Sequence, residues 1–285
     1  MIEVGQPSAS EELTPHVAHD EEGFRETTPE VFLVARPSVD MAGMAAYLDS
    51  VGGGSWLDRR LEESEGAPNP GEALVEFAGR VCYRSWEPGL NANVSRIRTD
   101  RQEYFANILR AQHGSVLEHA SYSFALRNVS RVFTHELVRH RAGSAFSQES
   151  LRYVRLTDIG FRVPPALEPV RDQVVSLVEQ LEEFQLSAAE TLGIDEEGVP
   201  FHVKKEITSA LRRLAPIGLS TDILWTANVR TLRHVIEMRT AAGAEEELRL
   251  VFDRIARVMQ DEAPNLFQDF SRLDDGSWVP EHRKV

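Results

Sequence analysis

Two segments of this chain each read as a strand that passes directly into a capped amphipathic helix, and that arrangement restricts the fold more than any other feature. In Ser121–Leu126, Tyr122, Phe124 and Leu126 alternate with small residues, the two-residue period of a half-buried strand. Asn128 and Ser130 are cap candidates for the helix that follows, which carries Phe133, Leu137 and Val138. Asp222–Ala227 is a second short apolar strand, and Asn228 suits the N-cap of a helix running through Arg239, with Leu232, Val235, Ile236 and Met238 on its buried side. Val31–Pro37 adds a first strand, ended by its proline. Helices are expected over Met41–Val51, Ala73–Tyr83, Glu103–Gln112, Ala166–Leu192 and His202–Leu214, with a last long one carrying Leu248, Val251, Phe252, Ile255, Val258 and Met259. Val170, Val174, Leu177, Val178 and Leu181 form the expected apolar stripe of Ala166–Leu192. Strands interspersed with more numerous helices imply an α/β or α+β domain.

With 285 residues the chain is long enough to bury a sizeable core. Residues 1–28 carry seven acids against one arginine and little apolar pattern, so they are expected to form an acidic flexible tail, with the folded domain spanning 29–285. Gly52–Gly54 reads as a turn, since no phosphate-loop spacing surrounds it, and 62–71 reads as a linker by composition. In 73–83 the helical spacing of Leu74, Phe77, Ala78 and Val81 sets the expected core face. Cys82 beside it is expected to be an inert thiol.

A formal net charge of −14 argues against nucleic acid or a membrane surface as partner, because both would repel the chain at long range. A single cysteine excludes an intrachain disulfide, and the acidic N-terminus lacks the basic and apolar parts of a signal peptide. The expected location is cytoplasmic.

Against that acidic background, Thr134–Tyr153 stands apart. It groups Arg139, His140 and Arg141, then a polar loop with Gln148, Glu149 and Ser150, then Arg152. His135-Glu136 invites comparison with the zinc protease motif, but the position four residues after His135 is Arg139, so no zinc site is expected. Arginines at 139, 141, 152, 212 and 239 suit bidentate recognition of phosphate and planar carbonyl groups, which points to a nucleotide-like anion. On the helix after Asn228, Arg230, Arg233, His234 and Arg239 form a basic side.

On these residues the chain resembles the flavin-dependent thymidylate synthases, whose signature is Arg-His-Arg, seven residues, Ser, and Arg two further on. Blocks at 73–86, 114–121, 134–153, 212–216 and 228–239 carry the resemblance. It implies an FAD-dependent methyltransferase with a central, mostly antiparallel sheet flanked by long helices. The reaction implied is reductive methylation of uracil C5 in dUMP to give dTMP, with FAD as hydride carrier and methylenetetrahydrofolate and NADPH as cosubstrates. UMP is the alternative substrate, as in methylases of nucleoside-antibiotic pathways. The assembly implied is a homotetramer with shared active sites.

Carried over by position, Ser115, Arg139, His140, Arg141, Asn228, Arg230 and His234 are expected to contact FAD. Glu136, Arg139, Gln148, Glu149, Ser150, Arg152, Arg212 and Arg239 are expected to contact the nucleotide, with Arg152 and Arg212 toward its phosphate. Arg239 is the expected catalytic residue, its charge stabilising the anionic uracil ring. Ser150 is read as a binder, since no adjacent base is evident. The chain departs from the family pattern in three respects: eight residues, 142–149, separate Arg141 from Ser150; Gly243 stands where a His is common after Arg239, and Glu245 replaces a common polar neighbour; and 1–30 and 38–71 are longer than in a minimal member.

Overall fold

A computed structural model describes residues 24–62, 69–94, 96–152, 160–283 and 285. In chain order the elements are β1 Glu30–Ala35, α1 Met41–Val51, α2 Gly54–Glu62, α3 Pro70–Tyr83, α4 Arg101–Arg110, β2 Ser121–Ser130, α5 Arg131–Leu137, β3 Ser144–Gln148, α6 Arg171–Thr191, α7 Phe201–Leu211, β4 Ser220–Asn228, α8 Val229–Thr240, α9 Glu246–Glu262, β5 Phe270–Arg272 and β6 Trp278–Pro280. β1, β2, β4 and β3 form a four-stranded antiparallel sheet in that order, and β5 and β6 a small hairpin. The expected α+β class and antiparallel sheet are therefore present.

The two strand–helix junctions organise the core. Tyr122, Phe124 and Leu126 of β2 and Ile223, Trp225 and Ala227 of β4 are buried, together with Leu232, Val235 and Ile236 of α8 and Leu248, Val251, Phe252, Ile255 and Met259 of α9. Removing such side chains from water contributes roughly 1.5–3 kcal/mol each. Both caps form: the Ser130 side chain accepts from the Phe133 N–H at 3.1 Å, and Asn228 Oδ1 accepts from the Thr231 N–H at 2.9 Å.

Several expectations need correcting. α3 starts at Pro70, capped by Asn69, so the end of the expected linker is helix; residues 63–68 lie outside the described set. Its buried face is Glu72, Val75, Glu76, Gly79 and Arg80, not the Leu74–Phe77–Val81 stripe. The reason is electrostatic: Glu76 Oε1 accepts from Arg60 at 2.7 Å and from Arg80 at 2.8 Å, so this face buries charges in pairs. Cys82 is consequently exposed rather than turned to the core.

Gly52 ends α1 in the left-handed region as a turn should, but Gly54 already begins α2. The helix expected over 166–192 is divided into a 3-10 segment, Pro165–Val170, and α6. Of its expected apolar stripe, Val178 is buried while Val170 and Leu177 are exposed. The acidic N-terminal stretch enters the fold at its end, where Phe24 packs on Phe161 and the Thr27 hydroxyl bonds to that of Ser220 at 2.6 Å. Among the described residues, no helix is long and apolar enough to cross a membrane.

Candidate active site

Helix α5 is short, and its start is tied down from outside. The Ser130 N–H donates to Glu247 Oε1 on α9 at 2.8 Å, and the Ser130 hydroxyl to Oε2 of the same carboxylate. Burial pushes the Glu247 carboxyl up from its ordinary range despite these bonds. After Leu137 the chain leaves the helix, and Arg139, His140 and Arg141 occupy the turn that leads into β3.

That turn is stitched to the start of α8. The Asn228 N–H donates to the Gly143 carbonyl at 3.1 Å, and the Thr231 hydroxyl to the Ala142 carbonyl at 2.8 Å. Gly143 sits at φ +67°, and a Cβ there would lie 2.4 Å from both Asn228 Nδ2 and Thr231 Oγ1. Only glycine permits this approach.

The junction floors a cavity of about 550 Å³, within the ordinary range for ligand sites. Six of the seven residues expected to hold the flavin line it: Arg139, His140, Arg141, Asn228, Arg230 and His234. The seventh, Ser115, lies on the 3-10 segment Gly114–His119, whose Glu118 does line the cavity and accepts from Arg230 Nη1 at 2.5 Å. Arg233 also lines the cavity, but its guanidinium is committed to a structural pair. It is buried, paired bidentately with Asp269 at 2.8 and 2.9 Å, and lies over the Phe270 ring, which removes it from the basic side expected of α8.

Beside the cavity, Arg239 is held on three sides. Its Nε donates to His140 Nε2 at 2.7 Å, Nη1 to Glu136 Oε2 at 2.5 Å and Nη2 to the Glu136 carbonyl at 3.3 Å. Its side chain keeps 14% of its exposure. Burial first, then the electrostatic influence of Arg239 and of His234, lowers the His140 pKa to about 4. The Arg-His-Arg triplet therefore presents two cations at neutral pH, not three.

A second cleft, about 440 Å³, is lined by Arg131, Gln148, Glu149, Ser150, Leu151, Arg212 and Arg213. Gln148 is oriented by its amide, which donates to the Thr134 hydroxyl at 3.2 Å, and Glu149 by a 2.9 Å bond from its N–H to the Asp222 carbonyl. Arg212 and Arg213 are exposed at the end of α7. Arg152 follows this cleft without lining it, and its Nε is buried with no partner among the described residues. Arg131 was not assigned from sequence, yet it lines the cleft, with Nη2 donating to the Glu149 carbonyl at 3.2 Å. Its signal was available: a cation on the first residue of a helix opposes the helix dipole and calls for another reason to be there.

No residue lines both hollows. β3 runs between them with Gly143 before its start and Gln148 at its end, a span of roughly 15 Å at strand rise.

The family described as thymidylate synthase complementing protein matches residues 66–265. A flavin-dependent thymidylate synthase of Mycobacteroides abscessus is 37% identical over 217 residues, 73% of this chain and 84% of that protein. One from Mycobacterium tuberculosis is 37% identical over 220 residues, with the same coverage of 73% and 84%. Among solved structures, the UMP/dUMP methylase PolB from Streptomyces cacaoi, bound with 5-Br UMP, superposes with a TM-score of 0.54 at 18% identity, covering 85% of this chain and 93% of that one. At that identity the likeness is one of fold.

Proposed function

The chain belongs to the flavin-dependent thymidylate synthase family, as an enzyme that methylates uracil C5 of dUMP, and from that premise we propose how its own residues divide the work. The reaction proposed is reductive methylation to dTMP with methylenetetrahydrofolate as carbon donor, FAD as the flavin and NADPH as reductant.

The donor set of the larger cavity fits a flavin dinucleotide. Arg139, Arg141 and Arg230 supply guanidinium groups for a diphosphate, the His140 and His234 rings supply flat surfaces, and Asn228 and Ser115 complete the set. When bound, the flavin supplies the hydride chemistry that no side chain can. Arg239 then acts on the substrate. Its fixed positive charge, set beside the uracil N3–O4 edge, stabilises the ring as an anion and raises the nucleophilicity of C5. Glu136 and Arg139 stand on the same side. Gln148, Glu149, Ser150, Arg152 and Arg212 hold the rest of the nucleotide, with Arg152 and Arg212 at the phosphate, and Ser150 binds without forming a covalent bond.

The observation that carries this division is the separation of the two hollows. Arg239 and the flavin set lie at one end of β3 and Arg212 with Ser150 at the other, so one uridylate reaches both sets when the cleft of one protomer faces the cavity of another. Exposed apolar side chains on and beside α6 and α7, including Leu177, Phe184, Leu186, Phe201, Leu214 and Ile217, provide surface for such packing in a homotetramer.

UMP is the second reading. The eight-residue spacer between Arg141 and Ser150 includes β3 and Glu149, beside the proposed nucleotide cleft, where one extra residue can make room for a 2′-hydroxyl. Release of tritium from C5-labelled dUMP and UMP, with FAD, NADPH and methylenetetrahydrofolate, tests both. Release from dUMP is expected; release from UMP alone would replace the substrate, and release from neither would end the proposal.

A further inference from the structure

An arginine carries five N–H donors in a fixed planar fork. In this protein three of the Arg239 donors are committed, one to His140 Nε2, one to the Glu136 carboxylate and one to the Glu136 carbonyl. One N–H on each terminal nitrogen is left to meet a substrate. How those remaining donors are aimed depends on the rotation of the guanidinium plane, which the bond from Nε–H helps to set.

We propose that His140 is a positioning residue for Arg239: its Nε2 lone pair accepts from Nε–H and fixes the rotation of the guanidinium, so that the two uncommitted donors face the uracil edge. The inference rests on the proposed role of Arg239. It gives His140 a task distinct from its expected contact with the flavin.

The arrangement requires an imidazole whose Nε2 bears no proton. The groups facing it are Arg239 and His234 from α8 and Glu136 from α5, and the His234 ring meets it edge-on at 6.1 Å between centroids. Burial and the two basic neighbours outweigh the single carboxylate and hold His140 neutral well below physiological pH. Protonation would remove the acceptor and set a cation against Arg239. A neutral histidine between two arginines thus serves a bond that neither arginine could accept.

The test compares His140→Leu, which lacks an acceptor, with His140→Gln, whose amide oxygen can replace Nε2, in the full chain loaded with FAD. Turnover is read as tritium release from labelled dUMP per bound flavin, alongside the nucleotide KM. His140→Leu is expected to lower kcat per bound flavin by about ten- to a hundredfold, the scale of a lost hydrogen bond to a charged group. Its nucleotide KM is expected to stay within about threefold, and His140→Gln to recover most of the loss in kcat per bound flavin.

Unchanged turnover in His140→Leu would overturn the proposal, as would a glutamine variant no better than the leucine one. Because His140 also lines the cavity proposed for the flavin, loading is completed with excess FAD and the variants are compared per bound flavin; equal kcat in the two would overturn the proposal. If the leucine protein does not fold, His140→Ala against His140→Gln makes the same comparison. Arg239→Ala, measured in parallel, separates the two levels: if it turns over normally, the role proposed for Arg239 fails and not merely its positioning.

Discussion

The two hollows of this protein handle positive charge in opposite ways. At the larger cavity, the arginine proposed to act on the substrate is mostly withdrawn from water and held by three hydrogen bonds. At the second cleft, Arg212 and Arg213 stand exposed, with no ion pair among the described residues. Stabilising charge that develops during a reaction needs a group already in place, because reorganising it then costs rate. Holding a phosphate does not, since its charge is the same before, during and after the reaction, and flexible guanidinium groups can close on it. On the roles proposed, one end of β3 would serve rate and the other capture.

Substitutions can break or sharpen that contrast. The largest effect is expected from Arg239→Ala, which should lower kcat by roughly 10²- to 10³-fold while flavin binding changes little; tritium release and flavin absorbance report the two quantities separately. An equal loss of flavin would make Arg239 a cofactor ligand and erase the distinction. Next is Arg212→Ala, expected to raise the nucleotide KM by about tenfold or more and leave kcat nearly unchanged, as loss of uniform binding does. A fall in kcat instead would place Arg212 with the reacting group.

The smallest effect is on stability. Because His140 has a folded pKa of about 4 against an ordinary value of 6.5, the unfolded chain binds the extra proton first as pH falls. His140 should therefore contribute a loss of stability as pH is lowered from about 6.5 to about 4, with no further contribution below that window. Denaturant midpoints of the wild type and His140→Gln across this range isolate the contribution, which should be absent from the variant.

The same contrast governs what the sequence could reveal. β2, β4 and α8 were legible because alternation, a capping side chain and a clean apolar stripe agree there. The helix α3 was legible but its buried face was not, because that face holds Glu76 and Arg80, and a periodicity of apolar residues cannot report a paired charge. The α6 stripe misled in the other direction, since one chain leaves much of it uncovered. At the site, the resemblance supplied the residue types, and the fold gathered most of the flavin set and much of the nucleotide set into separate hollows. The partners of Arg239 were illegible as partners, because His140 and Glu136 lie 99 and 103 residues away in sequence. Nothing in Arg-His-Arg indicates that its middle member is the uncharged one.

The central claim is that a working site joins the Arg239 end of one protomer to the Arg212 end of another. Co-expression of Arg239→Ala and Arg212→Ala chains tests it directly, by assay of the mixed assembly for tritium release at a dUMP concentration too low for Arg212→Ala sites to contribute. If subunits mix at random, about a quarter of the sites regain both arginines, and activity should rise well above either parent toward that fraction of wild type. Activity no greater than the average of the two parents would contradict the account and place the whole site within one chain.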